Sequence, residues 1–234
     1  MTIGLYPVAQ RPSCDEYGSG YSCYMSLVEP TRIEMADAAS SAPPSRLSVA
    51  RPSTAWVLLL AASAGWLASF TLTVERFKLF VDSSYRPSCS INPILSCGSV
   101  MATPQAAVFG FPNPIIGVVA FSVVLPLALL SVARIALPQW IWIGLWIGTA
   151  CGVGFVCWLI FQTLYRIHAL CPYCMVVWAV VTPMLAVLSN QLSSALPRPV
   201  RAIVGWRWTV VALFCTAVVL QVFLAFQDYW LSLV

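Results

Sequence analysis

Five stretches of this chain carry no charged side chain over a length that crosses a bilayer: 52–74, 113–133, 135–165, 175–197 and 208–226. About 20 apolar residues suffice to span the hydrocarbon core. Within that core every backbone polar group must find its partner inside the protein, so spans of this kind are helices. This one feature predicts an all-α integral membrane protein. Only 9% of the 234 residues are charged and 60% are hydrophobic, against about 25% charged in soluble domains. The net charge of +4 is too small and too dispersed for a nucleic-acid surface, so no nucleic-acid partner is expected. The first 45 residues lack the apolar core and basic start of a signal peptide.

Taken in order, residues 1–51 are mixed in charge and rich in Ser and Pro, which predicts a mostly disordered cytoplasmic tail. Cys14 and Cys23 lie there, where reduced, unpaired thiols are expected. Membrane helices are expected at about 54–74, 113–133, 140–165, 173–189 and 208–227. The first ends at Glu75, Arg76 and Lys78. Residues 82–112 form a polar, Pro-broken loop with an apolar patch of Val108, Phe109 and Phe111. Asn113-Pro114 opens the second helix as a cap followed by Pro at the first position. Residues 228–234 form a short extracytoplasmic tail. With the N-terminus inside, eight Lys and Arg fall on the inner side (among them Arg46, Arg51, Arg134, Arg198, Arg201 and Arg207) and four outside (Arg76, Lys78, Arg86, Arg166). That bias favours N-in, C-out. It brings Cys89, Cys97, Cys171 and Cys174 to one extracytoplasmic surface.

Cys171-Pro172-Tyr173-Cys174 sits where one apolar span ends and the next begins. Positions three apart share a helix face. With Cys171 as the cap, Pro172 falls where a missing N–H costs nothing, and the positive helix end favours thiolate. Four outer cysteines admit three readings. A structural zinc site needs short ligand spacings on both arms, whereas Cys89 and Cys97 are eight apart, so no metal is expected. A static disulfide pair is the second reading. The third is an electron relay, in which two pairs pass a disulfide along by thiolate attack through mixed disulfides. The relay fits best, because the loop pair is expected to be exposed and can meet a soluble partner, and the helix pair is expected at the bilayer edge, where it can meet a lipid-soluble acceptor.

Cys89-Ser-Ile-Asn-Pro-Ile-Leu-Ser-Cys97, Asn113-Pro-Ile-Ile-Gly117 and Cys171-Pro-Tyr-Cys-Met-Val-Val-Trp178, in this order, resemble the vitamin K epoxide reductase family over about residues 54–227. The resemblance implies a four-helix transmembrane bundle around a quinone site, with a fifth transmembrane helix outside it. It implies a thiol–disulfide oxidoreductase in the cell inner (plasma) membrane that forms disulfides in exported proteins. In that pattern Cys174 is the quinone-side thiolate and Cys171 its resolving partner. Cys97 exchanges with Cys171, and Cys89 meets the incoming reduced protein. Asn113 matches the residue whose amide bonds a quinone oxygen, as a preorganised donor should. Thr103 matches a loop Ser or Thr that steadies the relay, and it is placed with Asn113 and Trp178 among the quinone-binding residues. Trp178 stands where animal members carry a quinone-bonding Tyr; an indole N–H can donate, and the alternative is a bulky ring facing the bundle. The implied acceptor is a membrane quinone of the menaquinone, ubiquinone or phylloquinone type. Many bacterial members carry a thioredoxin-like domain after the fifth helix. The chain stops eight residues after Phe226, so a stand-alone form is expected, served in trans by a DsbA-like thioredoxin-fold oxidase. The rivals are a scaffold with static disulfides and an outward carrier of reductant.

Other residues have plainer readings. His168, the one histidine, is expected in a solvated loop, and Arg166 either near a thiolate or at the headgroups. Cys151, Cys157 and Cys215 are expected as small core hydrophobes. Gly144, Gly148 and Gly152 have the spacing of close helix contact. Trp56, Trp140, Trp206 and Trp230 are placed as interfacial anchors.

Overall fold

The computed structural model describes residues 47–82, 84–92, 94–193 and 198–231. Of the expected tail 1–51, residues 1–46, with Cys14 and Cys23, lie outside the described residues, as do residues 232–234 and the side chain of Trp230. Five helices are long and apolar enough to cross a membrane. They are α1 (Pro52–Val81), α3 (Pro114–Val132), α4 (Gln139–Gln162), α5 (Pro172–Gln191) and α7 (Arg207–Ala225). Short helices α2 (Cys97–Met101), α6 (Arg198–Gly205) and α8 (Gln227–Leu231) join or follow them. A five-residue π turn, Thr163–Ile167, extends α4.

The starts of three spans follow from sequence: α1, α3 and α5 each have Pro in the first turn, where its missing N–H is no loss. Pro126 and Pro183 fall inside α3 and α5, as membrane helices tolerate. Helix α1 runs past the apolar stretch to Val81. Glu75 and Lys78 pair one turn apart at 3.8 Å, and the Arg76 guanidinium lies 4.5 Å from the Phe80 ring centre, so the charged end remains helical.

Helix α1 packs along α3 and α5, and α4 packs along α5. Its inner face is mostly small: Ala55, Ala61, Ala62, Gly65, Ala68 and Ser69 are buried, which lets backbones approach. At Gly65 an added methyl would meet the Phe121 ring of α3, and at Gly117 the Ser69 side chain. Two indole bonds join spans across lipid-facing edges, Trp66 Nε1 donating to Ser122 Oγ and Trp146 Nε1 to Ser189 Oγ, both at 2.9 Å. None of the α7 side chains is buried. It lies against α5 and the π turn, outside the four-helix bundle.

Two expectations change. Gly144 and Gly148 have nothing within 4 Å of an added Cβ. They border a cavity instead of a helix contact, whereas Gly152 keeps the expected contact, an added Cβ there lying 3.7 Å from Val181 of α5. Cys151 and Cys157 are exposed on α4, and Cys215 is half-buried on α7; a helix apolar on all sides can present a thiol to lipid as readily as to a core. At the opposite end from the redox cysteines, strand β1 (Leu47–Ser48) pairs antiparallel with β2 (Leu137–Pro138). Gln191 fastens this strap, donating to the Val49 carbonyl at 3.2 Å while its own carbonyl accepts from Arg51 N–H at 3.4 Å.

The glycine contrast is testable. Gly65→Ala forces the buried Phe121 ring to move and costs about 1–3 kcal/mol, the usual range for overpacking. Gly148→Ala fills open space and leaves stability unchanged. Thermal unfolding in detergent separates the two, and equal losses would contradict this packing.

Candidate functional site

Cys89, Cys97, Cys171 and Cys174 converge at the end of the bundle where α1 and α5 face the 82–113 loop. Cys171 caps α5 with extended backbone, and Pro172 begins the helix. Upstream, His168 takes a left-handed conformation (φ 55°) that closes the π turn through its N–H to Thr163 O. This conformation is uncommon outside Gly, though His is among the residues enriched in it. His168 and Arg166 are both exposed. The chain then runs extended through Ala169 and Leu170 into Cys171.

That short run meets the loop. Leu95 and Leu170 form a parallel bridge: Ser96 N–H donates to Leu170 O at 3.0 Å, and Leu170 N–H to Ile94 O at 2.7 Å. Asn92 Oδ1 accepts from the N–H groups of Ile94 and Leu95, shaping the turn before the bridge. Ser96 then caps α2 by accepting from Ser99 N–H. These bonds carry Cys97 to Cys171. Cys97 is joined to Cys89 in a disulfide, and Cys171 Sγ lies 3.2 Å from Cys97 Sγ. Cys89, Cys97 and Cys171 are only 5%, 0% and 1% exposed, in a cluster with Leu72 and Met101. Water is excluded from these three sulfurs, so the loop pair, expected to be exposed, is buried against α1 and the lead-in of α5.

Electrostatics single out Cys171. Its thiol is held below the ordinary thiol value, first because the Cys174 side chain hydrogen-bonds to it. Burial works the other way, and the backbone N–H groups of Cys174 and Tyr173 add to the lowering. A thiolate is favoured at the sulfur that touches the disulfide.

Cys174 also lines an apolar cavity of about 650 Å³ walled by α1, α3, α4 and α5. Asn113 and Trp178 line the same cavity. Asn113 stands at the N-cap position of α3, yet its side chain does not cap the helix. Its Oδ1 accepts from Val108 N–H at 3.2 Å and its amide donates to Gln105 O at 2.7 Å. Those two bonds fix the amide and leave its second N–H, since an Asn amide has two. Trp178 is buried with Val156, Ile160 and Leu164. Thr103 is absent from the cavity wall. Its hydroxyl donates to Val100 O at 2.8 Å, bracing the turn after α2 beside Met101 and Val100, which do line the cavity. The apolar patch is exposed, and Phe109 lies 6.2 Å from Phe155 of the wall.

Volume, apolar lining and a fixed amide donor suit a quinone ring with part of its chain, since ligand pockets run to about 300–1,000 Å³ with few polar groups. Cys174 and Asn113 are the polar side chains from the predicted set that would face it.

Two features were missed from sequence. The Leu95–Leu170 bridge rests on backbone bonds with no compositional signal. Glu75 appeared only as a marker of the span's end, but it is buried and bonded to Ser88, beside Cys89. Its signal was the periodicity: Ala68, Leu72 and Glu75 continue one helix face.

The vitamin K epoxide reductase family model matches residues 56–189. No curated protein matches the chain. The family match covers more than half of the chain and includes Cys89, Cys97, Cys171 and Cys174, and the chain belongs to this family. It is accordingly a membrane thiol–disulfide oxidoreductase of a quinone-associated family.

Cys174→Ala removes the side chain that donates to Cys171. The Cys171 titration should then move up, because burial remains and its main opposing contact is gone. Thiolate absorbance against pH reads this directly; an unmoved midpoint would contradict the assigned cause.

Proposed function

We propose that this member of the vitamin K epoxide reductase family transfers electrons from an extracytoplasmic dithiol protein to a membrane quinone, driving disulfide formation in exported proteins. The observation that supports it is the unbroken line of sulfur: a Cys89–Cys97 disulfide, Cys171 at 3.2 Å from it, and Cys174 on the wall of an apolar cavity.

In the proposed cycle the partner's thiolate attacks Cys89, and the partner's second thiol resolves the mixed disulfide. The partner leaves oxidised, and Cys89 and Cys97 are left as thiols. Cys97 then attacks Cys171 of a Cys171–Cys174 disulfide, displacing Cys174 as thiolate. Cys89 attacks Cys97, re-forming the loop disulfide and releasing Cys171. The loop has lost two electrons and the helix pair has gained them. This end state matches the observed arrangement, with the loop pair joined and Cys171 and Cys174 free. A quinone in the cavity supplies a two-electron, two-proton acceptor that returns the helix pair to its disulfide.

The protein's own contribution is positioning. Cys174 presents its sulfur at the cavity, and Asn113 offers a fixed N–H where negative charge grows, which is where a preorganised donor helps most. Trp178 shapes the wall. Thr103 steadies the loop between Cys97 and Asn113 and acts on the ring only through that loop. The quinone is of the menaquinone, ubiquinone or phylloquinone type, and the thiol donor is a DsbA-like thioredoxin-fold protein acting in trans. The reading places residues 52–227 in the inner membrane, tail 1–51 in the cytoplasm, and residues 228–234 outside with the cysteines.

Cys174→Ala should reduce quinone turnover to background with any thiol donor. Cys89→Ala should block turnover with the protein dithiol while sparing a small dithiol that can reduce the helix pair itself. Steady-state quinone reduction with both donors checks this; an active Cys174→Ala variant would sink the assignment.

A further inference from the structure

Glu75 is an acid near the end of a membrane helix, only 5% exposed. Burying a carboxylate is costly unless it is bonded, and an ionisable group in a membrane segment usually marks function. Its Oε2 accepts from Ser88 N–H at 3.3 Å and its Oε1 from Ser88 Oγ at 3.2 Å. The Lys78 ammonium balances it from the exposed side at 3.8 Å. Ser88 immediately precedes Cys89, and Leu72, one turn before Glu75 on α1, packs in the cysteine cluster.

The two limbs of the loop disulfide are therefore tied to different spans. The Cys97 limb is held to the lead-in of α5 by the Leu95–Leu170 bridge. The Cys89 limb is held to α1 by Glu75, with a weaker exposed tie from Lys78 Nζ to Tyr85 OH at 3.4 Å. Between the limbs run Gly98 N–H to Ser90 Oγ at 3.3 Å and the turn bond from Ile91 N–H to Leu95 O. While the Cys89–Cys97 bond exists, it does this work itself. Whenever that bond opens, the buried tie to α1 joins these inter-limb bonds in keeping Cys89 beside Cys97.

We infer that Glu75 is a positioning residue for the relay: it holds Cys89 where it can resolve the Cys97–Cys171 mixed disulfide. The inference rests on the relay reading above. In the step concerned, Cys89 thiolate attacks Cys97 Sγ, the Cys97–Cys171 bond breaks, and Cys171 leaves with the electron pair as thiolate. No further oxidant is needed. Its rate depends on the effective concentration of Cys89 at Cys97, which falls when a tether is loosened.

The test uses the full chain in detergent with reduced thioredoxin-fold partner and quinone, quenched in acid and alkylated. Mass spectrometry then compares Cys97–Cys171-linked with Cys89–Cys97-linked peptides. Glu75→Ala should raise the Cys97–Cys171 share about tenfold, the scale expected for losing charged hydrogen bonds. Glu75→Gln keeps an acceptor for Ser88 N–H and should recover most of the wild-type ratio. Ser88→Ala removes one of the two bonds and should give a smaller rise, which keeps the inference testable if Glu75→Ala does not fold. A merely structural role would lower yield or thermal stability without moving the ratio. Cys89→Ala serves as the reference, because it must accumulate the Cys97–Cys171 link if the relay runs as proposed. Accumulation there with a wild-type ratio in Glu75→Ala and Ser88→Ala would overturn the role of Glu75 alone. No link in Cys89→Ala would overturn the relay and this inference with it.

Discussion

The arrangement depends on one contact, Cys97 Sγ to Cys171 Sγ at 3.2 Å, between residues 74 positions apart in the chain. Holding two sulfurs that close, without bonding them, requires fixed backbone on both sides. The loop side is fixed by the disulfide to Cys89 and by the bridge at Leu95–Leu170. The helix side is fixed by Cys171 serving as the cap of α5. Proximity of this kind turns a bimolecular exchange into an intramolecular one. The same contact sets a polarity, because Cys171 is stabilised as the anion by Cys174 beneath it.

Burial decides what kind of chemistry the contact can do. With Cys89, Cys97 and Cys171 almost wholly shielded and Cys174 half-buried, a protein partner must displace the loop, and a reagent that reaches the helix pair directly must be small or lie in the cavity. The cavity opens where α3 and α4 stand apart, and the small residues of α4 leave that gap free. The tight face of the bundle, by contrast, is between α1 and α3, where Gly65 and Gly117 admit the neighbouring side chains. Glycine thus has opposite uses within one bundle: close contact between α1 and α3, and open space at Gly144 and Gly148 of α4.

Most of the fold was legible because the bilayer leaves few choices. Charge-free runs gave the five spans, and Pro52, Pro114 and Pro172 marked three of their starts. The cysteine pairs, Asn113 and Trp178 were legible through motif order. What sequence could not show were features made by backbone meeting backbone or by one side chain reaching across. The Leu95–Leu170 bridge belongs to the first kind. Glu75 bonding Ser88 and Asn113 bonding Val108 and Gln105 belong to the second. Asn113 was read as a helix cap, and its side chain instead ties down the preceding loop, because two loop groups lie within reach and satisfy both ends of the amide. The small-residue spacing of α4 held at Gly152 but not at Gly144 and Gly148, for a related reason: spacing says that a helix can be approached, not that a neighbour approaches it.

The central claim is that electrons leave a protein dithiol and arrive on a quinone through these four sulfurs. It is tested most directly by stoichiometry in a closed, oxygen-free system, with purified protein, a reduced thioredoxin-fold partner and a prenylated quinone. Quinone absorbance and partner thiols are followed together. The account predicts one quinone reduced for each disulfide formed in the partner, with many turnovers per protein. Partner oxidation without quinone loss, or four outer cysteines whose redox state ignores quinone supply, would contradict it.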